Sequence, residues 1–277
     1  MSPDKLTCAV EALADDPHWY DVDGVPVPSV VSASGSLETA TRRPTTLSDA
    51  RELGLLPSVA DIVEVVRRPE VELWTQALGV VAARDLARRA GESEDEFVKR
   101  VMAEARSRSL AAVRFGAALR RGAERVAKLL DVDPADPLAA WLNLFRDWFR
   151  ASCARLLYVG KPLVNRRLGY AGRGDFLMEH KVHGLTLVDL RAQGVTERAG
   201  PSAYRSWGYE VAAYREALVE KPVCMTLVVN SREAHPPVEG VWSEEQMEKN
   251  WRGFLAAREL WVIQKNYNPG SEAGKSE

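Results

Sequence analysis

The sequence predicts an α/β protein: a mixed central sheet flanked by helices, with a helical N-terminal region. Three observations carry this. Between Val98 and Leu130, small and apolar residues (Val98, Met102, Ala105, Ser109, Ala112, Gly116, Leu119, Ala123, Val126, Leu130) step by three and four, the spacing of one helix face. Near Arg155 the character changes to short apolar runs separated by glycine-bearing turns, the pattern of strands. Finally, residues 223–230 form a continuous apolar run between two helical segments, which reads as a buried strand.

Residues 1–55 are weakly patterned; Gly24, Pro26, Pro28, Gly35 and the Ser/Thr-rich stretch 29–48 read as loop with one short strand. Ser58 then caps a helix, with Asp61 three residues on as an imperfect capping box. Pro69 breaks that helix, and a second is expected from Glu70 to Ala90, before Gly91. The long helix after Ser93 follows, then an Asp/Pro loop at 131–137. A helix at 138–153 carries Trp141, Phe145, Trp148 and Phe149, a stripe whose spacing suits core packing. Residues 156–159 and 163–164 read as strand, and 170–179 with 185–190 as a hairpin whose turn uses Gly184. Residues 204–218 read as helix. Ser243 with Gln246 forms a capping box opening a last helix to about Lys265. The expected organisation is an irregular segment at 1–55, a domain at 56–267 (helical to 153, sheet core from 154) and a disordered tail at 268–277.

The chain has 277 residues, enough for one large α/β domain or a domain with an appendage. No run of eighteen apolar residues occurs, so no membrane span is expected. Residues 1–16 include Asp4, Glu11, Asp15 and Asp16 and no apolar core, so no secretory signal is expected and a cytoplasmic location is. Cys8, Cys153 and Cys224 form no CxxC pair, which argues against a disulfide framework or a four-cysteine metal site. The net charge of −2 hides asymmetry: Phe97 to Lys128 holds nine basic residues against two acidic ones. Such a stretch is a candidate phosphate-contacting face or a solvated helix surface.

The chemistry-bearing feature is Gly172-Arg173-Gly174-Asp175 followed by Asp189-Leu190-Arg191. Side chains at i and i+2 of a strand share a face. Asp175, Leu177 and Glu179 are therefore expected on one side of the first strand, and Leu187, Asp189 and Arg191 together on the second. A turn near 182 or 183 sets Asp175 opposite Asp189. Two facing carboxylates are unfavourable unless a cation lies between them, and Mg²⁺ or Mn²⁺ suits oxygen ligands. A bend-shaping Asp175 and an exposed Asp189–Arg191 pair is the plainer reading of the same residues. Glu179-His180 and His183 are weaker metal candidates, read as exposed turn residues. Tyr204, Trp207, Tyr209 and Tyr214 suit base stacking or core packing equally. His18-Trp19-Tyr20 carries no recognisable mechanism, and no Walker loop or dinucleotide fingerprint occurs.

Read together, five ordered segments resemble the PD-(D/E)xK nuclease superfamily, in its phage- and RecB-type exonuclease-like branch. They are Leu56-Pro57-Ser58-Val59 with Pro69 and Trp74; Phe115-Gly116-Ala117-Ala118-Leu119; residues 168–175; Leu187-Val188-Asp189-Leu190-Arg191; and Tyr209-Glu210-Val211-Ala212-Ala213-Tyr214. The set covers roughly residues 50 to 265. The resemblance implies a restriction-endonuclease-like core, metal ligation by Asp175 and Asp189, and phosphodiester hydrolysis. Arg191 stands where the family has its lysine, Arg120 where a helical histidine is usual, and Glu210 with Tyr214 in place of a Gln-x-x-x-Tyr motif. The acidic residue often found on the preceding strand would fall near Gly160-Lys161, where none stands. Arginine keeps its charge but does not give up its proton near neutral pH.

The expectation is thus a Mg²⁺- or Mn²⁺-dependent, exonuclease-like DNA nuclease. Asp175, Asp189 and Arg191 would be catalytic, and Arg120, Arg121, Arg173, Glu210 and Tyr214 would bind substrate. The alternative is a catalytically degenerate nuclease that binds nucleic acid, DNA before RNA, or serves in assembly.

Overall fold

The computed structural model describes residues 17–31, 42–66, 69–129, 131–195 and 204–270. At its centre is a five-stranded sheet in the order β5 (Cys153–Asn165), β6 (Tyr170–His180), β7 (Gly184–Gln193), β8 (Val223–Asn230), β9 (Val238–Trp242). All neighbours are antiparallel except β7 and β8, which are parallel. A parallel pair needs a crossover, and helix α6 (Arg205–Glu216) lies in the segment between them.

Helices cover both faces. On one, α2 (Val59–Glu64), α6 and α7 (Glu244–Lys265) bring Val59, Ile62, Val211, Phe254 and Trp261 against Leu177, Leu187 and Cys224. On the other, α4 (Glu94–Leu129) and α5 (Ala139–Ser152) bring Leu119, Phe145 and Phe149 against Phe176, Val188, Met225 and Leu227. Burial on both sides explains the unbroken apolar run of β8. The mixed α/β architecture with flanking helices is the one the sequence predicts. No helix among the described residues is long and apolar enough to cross a membrane.

Several elements differ from expectation. Where loop with one short strand was expected before residue 55, β1 (Trp19–Tyr20) pairs with β4 (Leu56–Pro57), β2 (Ser29–Val31) pairs with β3 (Arg42–Pro44), and α1 (Leu47–Leu53) is a helix. The helix α1 has a full capping box from Thr46 and Asp49. Trp19, Ala50 and Leu55 enter the same core as Phe254, so this segment is part of the packed unit. Helix α3 (Pro69–Asp85) stops short of Ala90. The cause lies in Glu92, whose carboxylate accepts from the Arg89 amide and from the Arg100 guanidinium and so fixes a loop there.

The long helix α4 is unbroken over 36 residues. In its first half the buried face is Val101 and Ala105 against Ala82 of α3, whereas Val98 and Met102 are about half exposed. The two expected short strands at 156–164 are the single strand β5, which has irregular pairing near Leu157. Strand β9 was not foreseen. In the expected tail, Asn268 accepts from Arg258 and Pro269 is buried, while 271–277 lie outside the described residues.

Candidate functional site

The hairpin forms as the sequence predicts. The β6–β7 ladder runs from His180↔Gly184 to Phe176↔Val188, a register that carries forward to Asp175 and Asp189. The ladder ends one step short of them. There the Oδ2 of Asp175 accepts the Leu190 amide at 2.7 Å, taking the place of a strand carbonyl. Its Oδ1 lies 3.0 Å from Nε of Arg120 on α4. Asp175 and Leu177 do not share a face as strand alternation predicted. Leu177 packs toward α6 and α7, while Asp175 meets α4. The alternation slips beside Gly160 of β5, which sits between the pairs Val159↔Phe176 and Lys161↔Gly174 with φ +59°.

Asp189 and Arg191 do share a face, and it is the α6 face. Nε of Arg191 donates to Oδ2 of Asp189 at 2.7 Å, and its Nη2 donates to Oε2 of Glu210 at 2.5 Å. The guanidinium lies 5.7 Å from the Trp207 ring centroid, so an aromatic wall and two carboxylates enclose it. Asp189 and Glu210 are both buried.

A third pair completes the centre. Arg173 Nη2 reaches both oxygens of Glu124 on α4, at 2.7 and 2.8 Å, and its Nε donates to the Gly160 carbonyl at 3.1 Å. A Cβ on Gly160 would stand 2.5 Å from that Nη2, so glycine is needed both for its positive φ and for the guanidinium lying across it. Arg173, expected to bind substrate, is thus paired with Glu124, a residue not among those expected at the site. The signal for Glu124 was faint: one acid in a basic helix, one turn from Arg120. Tyr214 is buried and packs over Gly172, where a Cβ would strike its ring and Val59. Arg121 is exposed on α4.

Burial raises the Asp189 carboxyl to about 6, against the opposing pull of Arg191, with Asp175 and Glu210 adding upward. Burial lowers Arg191, but the charges of Asp189 and Glu210 outweigh it and hold the guanidinium well above its ordinary value. Burial likewise raises Glu124, opposed by Arg173. Counting formal charges, Asp175 and Glu124 meet Arg120 and Arg173 on the α4 side, and Asp189 and Glu210 share Arg191 on the α6 side. The chain therefore supplies most of its own countercharge here.

Among the described residues, these carboxylates do not form a set of three ligand atoms within 4.8 Å of one another; His180, His183 and Glu239 do. His180 is buried, not an exposed turn residue. Its Nδ1 accepts the amides of Val182 and His183 at 3.1 and 3.2 Å, which places its proton on Nε2. That Nε2 lies 3.6 Å from Oε1 of Glu239, too far for a hydrogen bond, and the oxygen accepts instead from Trp148 at 2.7 Å. An imidazole bonded this way has no Nε2 lone pair to give a metal; its Nδ1 fastens the hairpin turn, while Glu239 joins β9 to Trp148 of α5.

The remaining candidates pack or pair within the fold. Trp207 is buried and Tyr209 packs on Gly253. His18 pairs with Asp61 at 2.6 Å, and Trp19 and Tyr20 are core residues. Ser58 caps α2 through the Asp61 amide, as its sequence position predicts. No protein-family model matches this chain, and no curated protein matches it.

Proposed function

We propose that this chain is a catalytically degenerate, nuclease-like protein that binds nucleic acid, DNA before RNA, without hydrolysing it. The observation that carries this reading is the Arg191 guanidinium, held between Asp189 and Glu210 at 2.7 and 2.5 Å. In a nuclease of the resembled type, the Asp189 carboxylate would turn to a divalent ion. Here its nearest cation is an arginine of its own strand. Asp175 likewise has an internal cation beside it, Arg120 of α4 at 3.0 Å. A guanidinium cannot lose a proton to a water at neutral pH and cannot ligate a metal. As arranged, the residues fit internal arginines rather than Mg²⁺ or Mn²⁺.

The test is an assay of purified protein on labelled linear DNA and RNA with Mg²⁺ or Mn²⁺. A salt-sensitive electrophoretic shift without cleavage is expected, retained in Asp189→Ala. Cleavage that needs a metal and disappears in Asp189→Ala would reverse the reading in favour of an active nuclease.

A further inference from the structure

Helix α4 carries an ordered set of cations that the acid–arginine centre does not use. Of the nine basic residues between Phe97 and Lys128, at least four are held in ion pairs. Arg100 pairs with Glu92, Arg108 with Glu104 and Asp85, Arg120 with Asp175, and Arg125 with Asp136. Lys99, Arg106, Arg114 and Lys128 belong to none of these pairs, and all four are exposed. They follow one another at steps of seven, eight and fourteen residues.

At about 100° per residue these steps keep all four within a sector of roughly 80° on one side of the helix. The buried side chains Val101, Ala105, Leu119, Ala123 and Val126 occupy another side. At 1.5 Å per residue the row extends for about 44 Å, in steps of about 10 to 21 Å. The two acids within this stretch, Glu104 and Glu124, are taken up by Arg108 and Arg173. The row is therefore left positive in a protein whose net charge is −2.

We infer that this row is a track for the phosphates of a nucleic-acid duplex. The inference rests on the proposed nucleic-acid binding and adds where and how it occurs. A row of about 44 Å exceeds one helical turn of duplex, about 34–36 Å. Single strands are held by aromatic platforms interleaved with cations, and the exposed row has none. Phe115 faces Trp141 at 5.4 Å, and Phe97 lies under Arg100. Contacts of this kind position a duplex without reading its sequence. Toward its C-terminal end the row passes Arg120 and Glu124, so the bound backbone would run beside the acid–arginine centre.

The experiment compares wild type with two quadruple variants of the full chain, each carrying the same charge loss. One replaces Lys99, Arg106, Arg114 and Lys128 with Gln; the other replaces Arg232, Lys249, Arg252 and Lys265. Affinity for a 30-base-pair duplex, for the matching single strand and for anionic vesicles is measured against salt, with circular dichroism confirming the fold. The slope of log affinity on log salt for duplex should fall by about 3 to 4 in the α4 variant, at ~0.9 per phosphate contact, and change little in the other. Equal slopes in wild type and the α4 variant, or equal losses in both variants, would overturn the track while leaving nucleic-acid binding in place. A preference for the single strand would overturn it too. Absence of any nucleic-acid binding by wild type, with or without vesicle binding, would overturn the functional reading itself.

Discussion

Arg191 and Asp189 stand two residues apart on β7, share a face, and are joined by a 2.7 Å hydrogen bond from Nε to Oδ2. Glu210, from the helix that crosses above, closes the other side of the same guanidinium. Strand alternation makes the first contact local, and the β7–α6–β8 crossover supplies the second. This arrangement lets two carboxylates remain buried without an outside cation.

Removing the shared cation should therefore be costly. Arg191→Ala leaves Asp189 and Glu210 buried and unpaired, and a loss of about 3–5 kcal/mol in unfolding free energy is expected. The check is urea denaturation of Arg191→Ala beside the triple replacement Asp189→Asn, Arg191→Ala, Glu210→Gln. The triple variant should recover part of the loss, because the uncompensated charges are gone. No recovery would mean that Arg191 acts through packing alone.

The buried Asp189 should also give stability a pH signature. Its carboxyl is raised by burial to about 6 in the folded protein, against about 3.9 in an unfolded chain. The folded state then holds the proton more tightly, so this group lowers stability as pH rises from about 4 to about 6. Asp189→Asn removes the titration. Across that window its unfolding free energy should rise relative to wild type, then stay level above it. A gap between the two that does not vary with pH would contradict this.

Gly160 and Gly184 separate two costs. Both have positive φ, +59° and +70°, but only Gly160 has a side chain, that of Arg173, lying where a Cβ would go. Gly184→Ala should lose about 1–2 kcal/mol from backbone strain alone. Gly160→Ala should lose clearly more, because the Arg173–Glu124 pair must also shift. Equal losses in thermal unfolding would mean the guanidinium moves aside freely.

Tyr267 connects the C-terminal end of α7 to the early segment. Its hydroxyl lies 2.7 Å from the Leu55 carbonyl and 3.0 Å from that of Ala50, in a buried site. Tyr267→Phe should cost about 1–3 kcal/mol, since buried acceptors lose their donor. If residues 42–55 were an independent appendage, the global unfolding midpoint would not move.

What the sequence disclosed was local chemistry. Gly184 at the hairpin turn, the Ser243–Gln246 box and the apolar run of β8 each act within a few residues, and each element forms where predicted. The edge strand β9 has only a half-exposed, mixed pattern, because it has no second covering layer to demand apolar residues. The charge pairs of the centre were hidden for a different reason. Arg191 meets Glu210 across 19 residues and Arg173 meets Glu124 across 49, so the fold, not the spacing, brings them together. The same long-range pairing turned Arg173 from an expected phosphate contact into the partner of Glu124.

The most direct measurement is calorimetric titration of Mn²⁺ into wild type, Arg191→Ala and Asp189→Ala near pH 7.5. If Arg191 occupies the cation's place, wild type takes up no stoichiometric Mn²⁺, and Arg191→Ala, with Asp189 and Glu210 released, takes up one. One Mn²⁺ bound by wild type and lost in Asp189→Ala would contradict the central claim that arginines close this centre.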